Sequence, residues 1–392
     1  MALVLGAIAV ILHLLKPVKA SLNFSATCID LVIPVNVSAN SSVYDGPKID
    51  SNIDTADWMW DIYTWSHPDV MNRTKGTVEI RETLDISAKL CVPRRGRKSD
   101  ILQIATHGLG FDKRYWDVQV HAEEYSYVNA AIKQGYSILT YDRVGNGHSS
   151  KPDAYVVAQE SVAVEVLREL TRLARNGDLA KASKMKHSRR NPICAYRPNK
   201  IVHVGHSFGS AITVALLSLY GNVSDGALMT SFMLGSQTGL AKFSEFGFEF
   251  APQHDSRRFG DRSSGYLVQA TQTNIQQIYL RKGSFKPEVL RYAELIKQTT
   301  SVGEIVTTGV LLGHPAPLFS GPIQFFVGEE DIPVCGGDCR NRYSLEVLKV
   351  LYPVAADISV YLQPGTGHGL ALSTNATAGY EVMFSYLESH GL

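Results

Sequence analysis

The strongest constraint on how this chain folds is a rhythm of short apolar runs, rich in β-branched residues, separated by stretches of helical period. The runs are Asp100–Thr106 (DILQIAT), Tyr136–Tyr141 (YSILTY), Lys200–Val204 (KIVHV), Leu228–Leu234 (LMTSFML), Pro322–Val327 (PIQFFV) and Ile358–Leu362 (ISVYL). Helical patterns cover Glu123–Gln134, Val156–Arg175, Ser210–Tyr220, Tyr343–Leu351 and Ala376–Ser389. A strand that is apolar on both sides must be covered on both faces. The alternation therefore predicts an α/β fold, a mostly parallel sheet with helices on each side. Upstream, Thr77–Ile86 and Ala88–Val92 alternate with period two and read as a hairpin.

Two stretches break the rhythm. Residues 176–199 carry Lys181, Lys184, Lys186, Arg189 and Arg190 and read as a solvated basic insertion. Residues 236–320 separate two expected strands, are helix-rich with Gly and Pro breaks, and are placed to form a lid. The expected organisation is a signal peptide over 1–20, an N-terminal extension over 21–75, the first part of the core over 76–235, the lid over 236–320 and the rest of the core over 321–392. Trp58, Trp60, Tyr63 and Trp65 in the extension read as packing residues rather than a sugar platform.

The N-terminus reads as an export signal. Ala2–Leu15 is apolar apart from Gly6 and His13, and its 14 residues fall short of the roughly 20 that span a bilayer. Val18-Lys19-Ala20 follows as a small-residue cleavage site. No Lys or Arg precedes the run, so an uncleaved anchor or a buried N-terminal strand is the competing reading. Glycosylation sequons at Asn23, Asn36, Asn40, Asn72, Asn222 and Asn375 agree with export. Five cysteines in an oxidising compartment predict two pairs and one remainder. Cys335 pairs with Cys339 across two glycines, Cys28 with Cys91, and Cys194 is left over. No second Cys/His pair has zinc-ligand spacing, so no metal is expected. A net charge of +1 gives no reason to expect a nucleic-acid partner.

The chemistry centres on Gly205-His206-Ser207-Phe208-Gly209. An apolar strand precedes it and a small-residue helix follows. In that context G-x-S-x-G is a sharp strand-to-helix turn that exposes the serine hydroxyl. A serine needs a base, and His368 in Pro364-Gly365-Thr366-Gly367-His368-Gly369 follows the last expected strand. The base needs an acid. Asp331 in Gly328-Glu329-Glu330-Asp331 is favoured, with Glu330 next. The oxyanion donors should be the N–H of Phe208 and one from His107-Gly108-Leu109-Gly110, with Leu109 favoured and Gly110 next. His107 is read as a structural hydrogen-bonding residue. Asp142-Arg143-Val144-Gly145-Asn146-Gly147-His148-Ser149 lacks a phosphate-loop ending and reads as a structural loop.

These motifs, HGLG at 107–110, DRVGNGHS at 142–149, GHSFG at 205–209, GEED at 328–331 and GTGH at 365–368, resemble the α/β-hydrolase superfamily in their order along residues 100–392. In particular the chain is similar to secreted, lid-bearing esterase- and lipase-like hydrolases of filamentous fungi. The resemblance implies an eight-stranded sheet and no cofactor. Relatives that are epoxide hydrolases or dehalogenases carry Asp at the nucleophile, and Ser207 points away from them. The expected activity is hydrolysis of a carboxylic ester or lactone with an apolar or aromatic group, suited to Phe243, Phe246, Phe248, Phe250, Phe259, Tyr266 and Tyr279 in the lid. Arg257, Arg258 and Arg262 read as solvated, with contact to a substrate anion as the alternative. An acyltransferase or lyase on the same triad, a peptidase and an inactive binding module are the alternatives.

Overall fold

The apolar runs become strands of one eight-stranded sheet. The structure is a computed structural model that describes residues 26–63, 73–188, 191–232, 245–310 and 312–392. The apolar N-terminal run and its cleavage site, Asn23, Trp65, Asn72, Arg189, Arg190 and Phe243 lie outside the described residues. The strands are β1 (Ala26–Tyr44), β2 (Thr74–Pro93), β3 (Ile101–Thr106), β4 (Ser137–Tyr141), β5 (Lys200–His206), β6 (Gly226–Thr230), β7 (Phe248–Phe250), β8 (Tyr266–Gln269), β9 (Thr300–Ser301), β10 (Ile323–Gly328) and β11 (Ile358–Gln363). The large sheet runs β1-β2-β4-β3-β5-β6-β10-β11. Its pairs from β4 to β11 are parallel, and β2 is antiparallel to both neighbours. Every residue of β3, β4, β6 and β10 is buried, as two-sided cover requires.

Helix Glu160–Asn176 packs on β1 and on helix Phe208–Tyr220, while Ala376–Ser389 packs on Tyr127–Lys133 and β10. The helical pattern over 123–134 is broken at Ser126. Its hydroxyl instead accepts the Asn129 N–H and starts a new helix.

The expected hairpin between 77–86 and 88–92 does not form. Both segments belong to β2, and the partner is β1, paired from Ala26 with Pro93 to Tyr44 with Thr74. One residue, Ser87, cannot reverse a chain; the reversal is made over the long connection that contains helix Asn52–Tyr63. Cys28 and Cys91 sit opposite each other in this ladder and form a disulfide. Cys335–Cys339 is the second, and Cys194 is a free thiol. Trp58 is buried, whereas Trp60 is exposed.

The segment between β6 and β10 holds a small antiparallel sheet, β7-β8-β9, beside helices Gln272–Tyr279 and Pro287–Ile296. Its strands are two to four residues long, too short for a period to register in sequence. Phe246, Phe250, Phe259, Tyr266 and Tyr279 are buried, so these rings pack the segment. Arg262, read from sequence as solvated, is buried too, because Thr299 and Asp261 take its guanidinium. Asn36, Asn40 and Asn222 are exposed. Among the described residues no helix is long and apolar enough to cross a membrane.

Candidate active site

In a parallel sheet the loops at the carboxyl ends of the strands converge, most sharply where strand order reverses. Here β3 and β5 are neighbours, with Thr106 registered against Gly205. The loop 107–110 after β3 and Ser207 after β5 therefore leave the sheet side by side. The loops after β6, β10 and β11 supply Ser231, Asp331 and His368 from the same edge.

Ser207 sits between β5 and helix Phe208–Tyr220 with φ 54° and ψ −119°. A non-glycine residue at positive φ is strained, and strain of this kind persists only where the surroundings enforce it. The surroundings are visible in its glycine neighbours. A Cβ on Gly205 would lie 2.5 Å from Ser210 Cα, and one on Gly209 would lie 2.2 Å from the Thr106 carbonyl oxygen. The turn is thus wedged between its own helix and β3. Ser207 N–H donates to the Thr230 carbonyl at 2.9 Å, and the residue is only partly buried.

His368 and Asp331 are both buried, and His368 Nδ1–H donates to Asp331 Oδ2 at 2.8 Å. Asp331 Oδ1 accepts the Val334 N–H at 2.9 Å as the cap of a short helical turn. Both carboxylate oxygens are thereby fixed. Glu330, the other candidate from sequence, turns outward to an ion pair with Arg281. Disulfide Cys335–Cys339 closes the turn after Asp331, with Cys335 N–H donating to the Asp331 carbonyl at 3.1 Å. The His368 loop is pressed against this one: a Cβ on Gly328 would lie 2.2 Å from the Gly367 carbonyl oxygen.

The loop after β3 lies against the serine, since a Cβ on Gly108 would come 3.0 Å from Ser207 Cβ. Its peptide orientations follow from where the carbonyls point. The Gly108 carbonyl accepts from Arg143 Nη2 at 3.1 Å and from His107 Nδ1–H at 2.9 Å. The Leu109 carbonyl accepts the Tyr279 hydroxyl at 2.9 Å. In a trans peptide the N–H opposes the carbonyl, so the N–H groups of Leu109 and Gly110 point the other way from these donors. Neither Leu109 nor Phe208 N–H has an acceptor among the described residues.

Other histidines here are structural. His107 Nε2 accepts the Arg143 N–H at 3.0 Å, so both its nitrogens are used. His206 stacks on Tyr115 with centroids 4.3 Å apart and donates Nδ1–H to Thr230 Oγ1 at 3.1 Å. Burial, then the adjacent His368 and His107, hold its pKa well below the ordinary value. Burial and Arg143 do the same for His107. Both rings are therefore neutral.

Three residues support the site in ways the sequence did not reveal. Arg143, buried against Glu304, reaches Gly108 and lies 4.8 Å from the Phe208 ring centroid. Tyr279 reaches Leu109 from the inserted segment, with its ring 5.5 Å from that of His368. Ser231, at φ 46°, donates its hydroxyl to the His368 carbonyl at 2.8 Å. Arg143 had a sequence signal in the DRVGNGHS loop and Tyr279 among the lid aromatics, whereas Ser231 had none. The structural reading of that loop agrees with Asp142, which accepts Lys113 N–H at 3.0 Å and His148 N–H at 2.9 Å.

A family model described as the Alpha/beta hydrolase family matches residues 104–378. No curated protein matches the sequence. Among solved structures, a carboxylesterase of the ammonia-oxidizing thaumarchaeon Nitrososphaera gargenis is similar at 13% identity and TM-score 0.50, over 79% of this chain and 96% of that one. A bromoperoxidase from Bacillus anthracis is similar at 16% identity and TM-score 0.48, over 78% and 96%. An esterase from Exiguobacterium antarcticum is similar at 14% and 0.48, over 78% and 96%. At such identities the likeness concerns the fold.

Proposed function

The chain belongs to the Alpha/beta hydrolase family, and on that premise we propose that it is a secreted serine hydrolase that cleaves a carboxylic ester or lactone carrying an apolar or aromatic group. The observation that carries this reading is the strained Ser207, at φ 54°, on the same sheet edge as a buried His368–Asp331 hydrogen bond of 2.8 Å.

In the proposed reaction Ser207 Oγ attacks the substrate carbonyl while His368 Nε2 takes its proton. Asp331 keeps the other imidazole nitrogen protonated and stabilises the imidazolium. The negative charge that develops on the carbonyl oxygen is received by the N–H groups of Phe208 and Leu109. His368 returns the proton to the leaving alkoxide, which departs as an alcohol, or stays tethered when the substrate is a lactone. A water molecule, deprotonated by His368, then attacks the acyl-serine and releases the acid. Each step uses side chains, backbone N–H groups and water.

The Tyr279 ring beside His368, with Phe111 4.8 Å from it, supports an apolar or aromatic substrate group. Tyr279 also ties the inserted segment to the Leu109 carbonyl, which supports reading residues 236–320 as a lid. Two disulfides and exposed sequon asparagines support secretion. The test is a panel of aryl esters, alkyl esters, lactones and matched anilides, with Ser207→Ala as the control. Ester or lactone turnover that disappears in Ser207→Ala is expected. Turnover retained in Ser207→Ala, or confined to anilides, overturns the proposal.

A further inference from the structure

A cavity of about 860 Å³ lies between the core and the inserted segment, and none of Ser207, Asp331 or His368 lines it. That volume is within the range of small-molecule sites. Its walls are rich in cations: Lys113, Arg114 and Lys151 from the core, and Arg258 and Arg262 from the inserted segment.

Three of these are matched within the protein. Lys113 meets Asp142 at 2.6 Å, Arg114 meets Asp112 at 2.6 Å, and Arg262 pairs with Asp261. The other two are not. Arg258 spends one nitrogen on the Leu295 and Lys297 carbonyls, at 3.0 and 2.7 Å, and meets no carboxylate among the described residues. Lys151, partly buried, has neither a hydrogen bond nor an ion pair among the described residues.

These charges are also crowded together. The Arg258 and Arg262 guanidiniums flank the Phe259 ring at 4.9 and 5.9 Å from its centroid. Burial, and next the neighbouring Arg262, holds the Lys151 ammonium below its ordinary pKa. Burial lowers Arg262 as well; Arg258 is exposed, and the partial desolvation that lowers it is opposed by Asp255, Glu294 and Asp112. The part-buried Lys151 ammonium, with no bonded counterion among the described residues and the Arg262 guanidinium nearby, raises the energy of the folded state, and an anion beside it removes that cost. The lining carboxylate without a partner of its own, Asp30, is exposed.

We propose that this cavity binds a small-molecule oxyanion, a phosphate or carboxylate group, held between Lys151 of the core and Arg258 of the inserted segment. Bound there, the ligand bridges the two parts of the molecule at a site separate from Ser207, so the proposal does not depend on the proposed reaction.

The experiment uses the full chain, titrated calorimetrically with inorganic phosphate in one arm and citrate in the other. Ionic strength is held constant with chloride, and thermal unfolding is followed in parallel. Saturable binding of at least one anion is expected, with a rise in the unfolding midpoint; which arm binds identifies the group. Lys151→Met and Arg258→Gln should each weaken that binding about tenfold or more, the scale of a lost charge-assisted hydrogen bond. Lys151→Met should also leave the anion-free midpoint unchanged or raised, since it removes a repelled charge. Absence of saturable binding in both arms overturns the proposal. So does binding in folded Lys151→Met that stays within about threefold of the parent.

Discussion

Replacing Asp331 by Asn separates orientation of the base from integrity of the fold. Asp331 Oδ1 accepts the Val334 N–H at 2.9 Å, and Oδ2 accepts His368 Nδ1–H at 2.8 Å. The Asn carbonyl oxygen will remain on Val334, because the amide nitrogen cannot accept that bond. The NH2 group then faces Nδ1, which must become the acceptor. His368 is driven to the tautomer protonated at Nε2, and in that form it cannot take the Ser207 proton. A drop in kcat of about 10⁴-fold is expected, the scale for a mis-set tautomer in a serine triad, or about 5 kcal/mol of transition-state stabilisation. Stability should change by less than about 1 kcal/mol, since each hydrogen bond is replaced by another. Glu330→Gln is the matched control. That carboxylate is 34% exposed and pairs with an exposed Arg281, so its loss should cost at most about 1 kcal/mol of stability and leave kcat unchanged. The assay is kcat on the best ester, with circular dichroism and thermal unfolding on the same samples. A folded Asp331→Asn protein with kcat within about tenfold of the parent, a deficit of only about 1.4 kcal/mol, refutes the reasoning. So does an equal loss in Glu330→Gln.

Other outcomes follow from the same structure. Gly209→Ala brings a methyl to 2.2 Å from the Thr106 carbonyl oxygen; overpacking of this kind costs about 1–3 kcal/mol, to be read as a lowered unfolding midpoint. His203 is buried with its pKa lowered to about 3 by burial and Arg175. The unfolded chain binds that proton near pH 6.5 and the folded chain only near pH 3, so stability is full above pH ~6.5 and falls as pH drops through this window. His203→Gln should flatten the midpoint-against-pH curve there, and an unchanged slope would exclude His203 as the source. Removing Cys28–Cys91, which closes a loop with separation 63, should cost ~4 kcal/mol, against ~2 kcal/mol for Cys335–Cys339 with separation 4. Denaturant unfolding of the paired Cys→Ala variants measures both; equal losses would contradict the loop-length argument.

The parts of the fold and site that were readable in sequence are those whose signal is local. An apolar run before GHSFG and a small-residue helix after it dictate the turn at Ser207. GTGH and GEED follow the last two core strands within a few residues, so strand order alone brings His368 and Asp331 to one edge. What escaped depends on partners distant in sequence. Period-two alternation marked Thr77–Ile86 as a strand, yet could not say that its partner is Ala26–Tyr44. Strands β7, β8 and β9 are held by one another rather than by any internal pattern. Arg143 and Glu304 are separated by 161 positions and meet only in the fold. Ser231 falls inside the apolar run 228–234 in sequence, and only the structure shows that β6 ends at Thr230 and the chain turns at Ser231 with φ 46°.

The central claim is that Ser207 is an activated nucleophile. Its most direct test is to treat the protein with a fluorophosphonate probe and map the adduct by peptide mass spectrometry. The account predicts one stoichiometric adduct on Ser207, absent in Ser207→Ala and slow to form in His368→Ala. A folded protein that takes no adduct, or takes it on another serine, contradicts the claim.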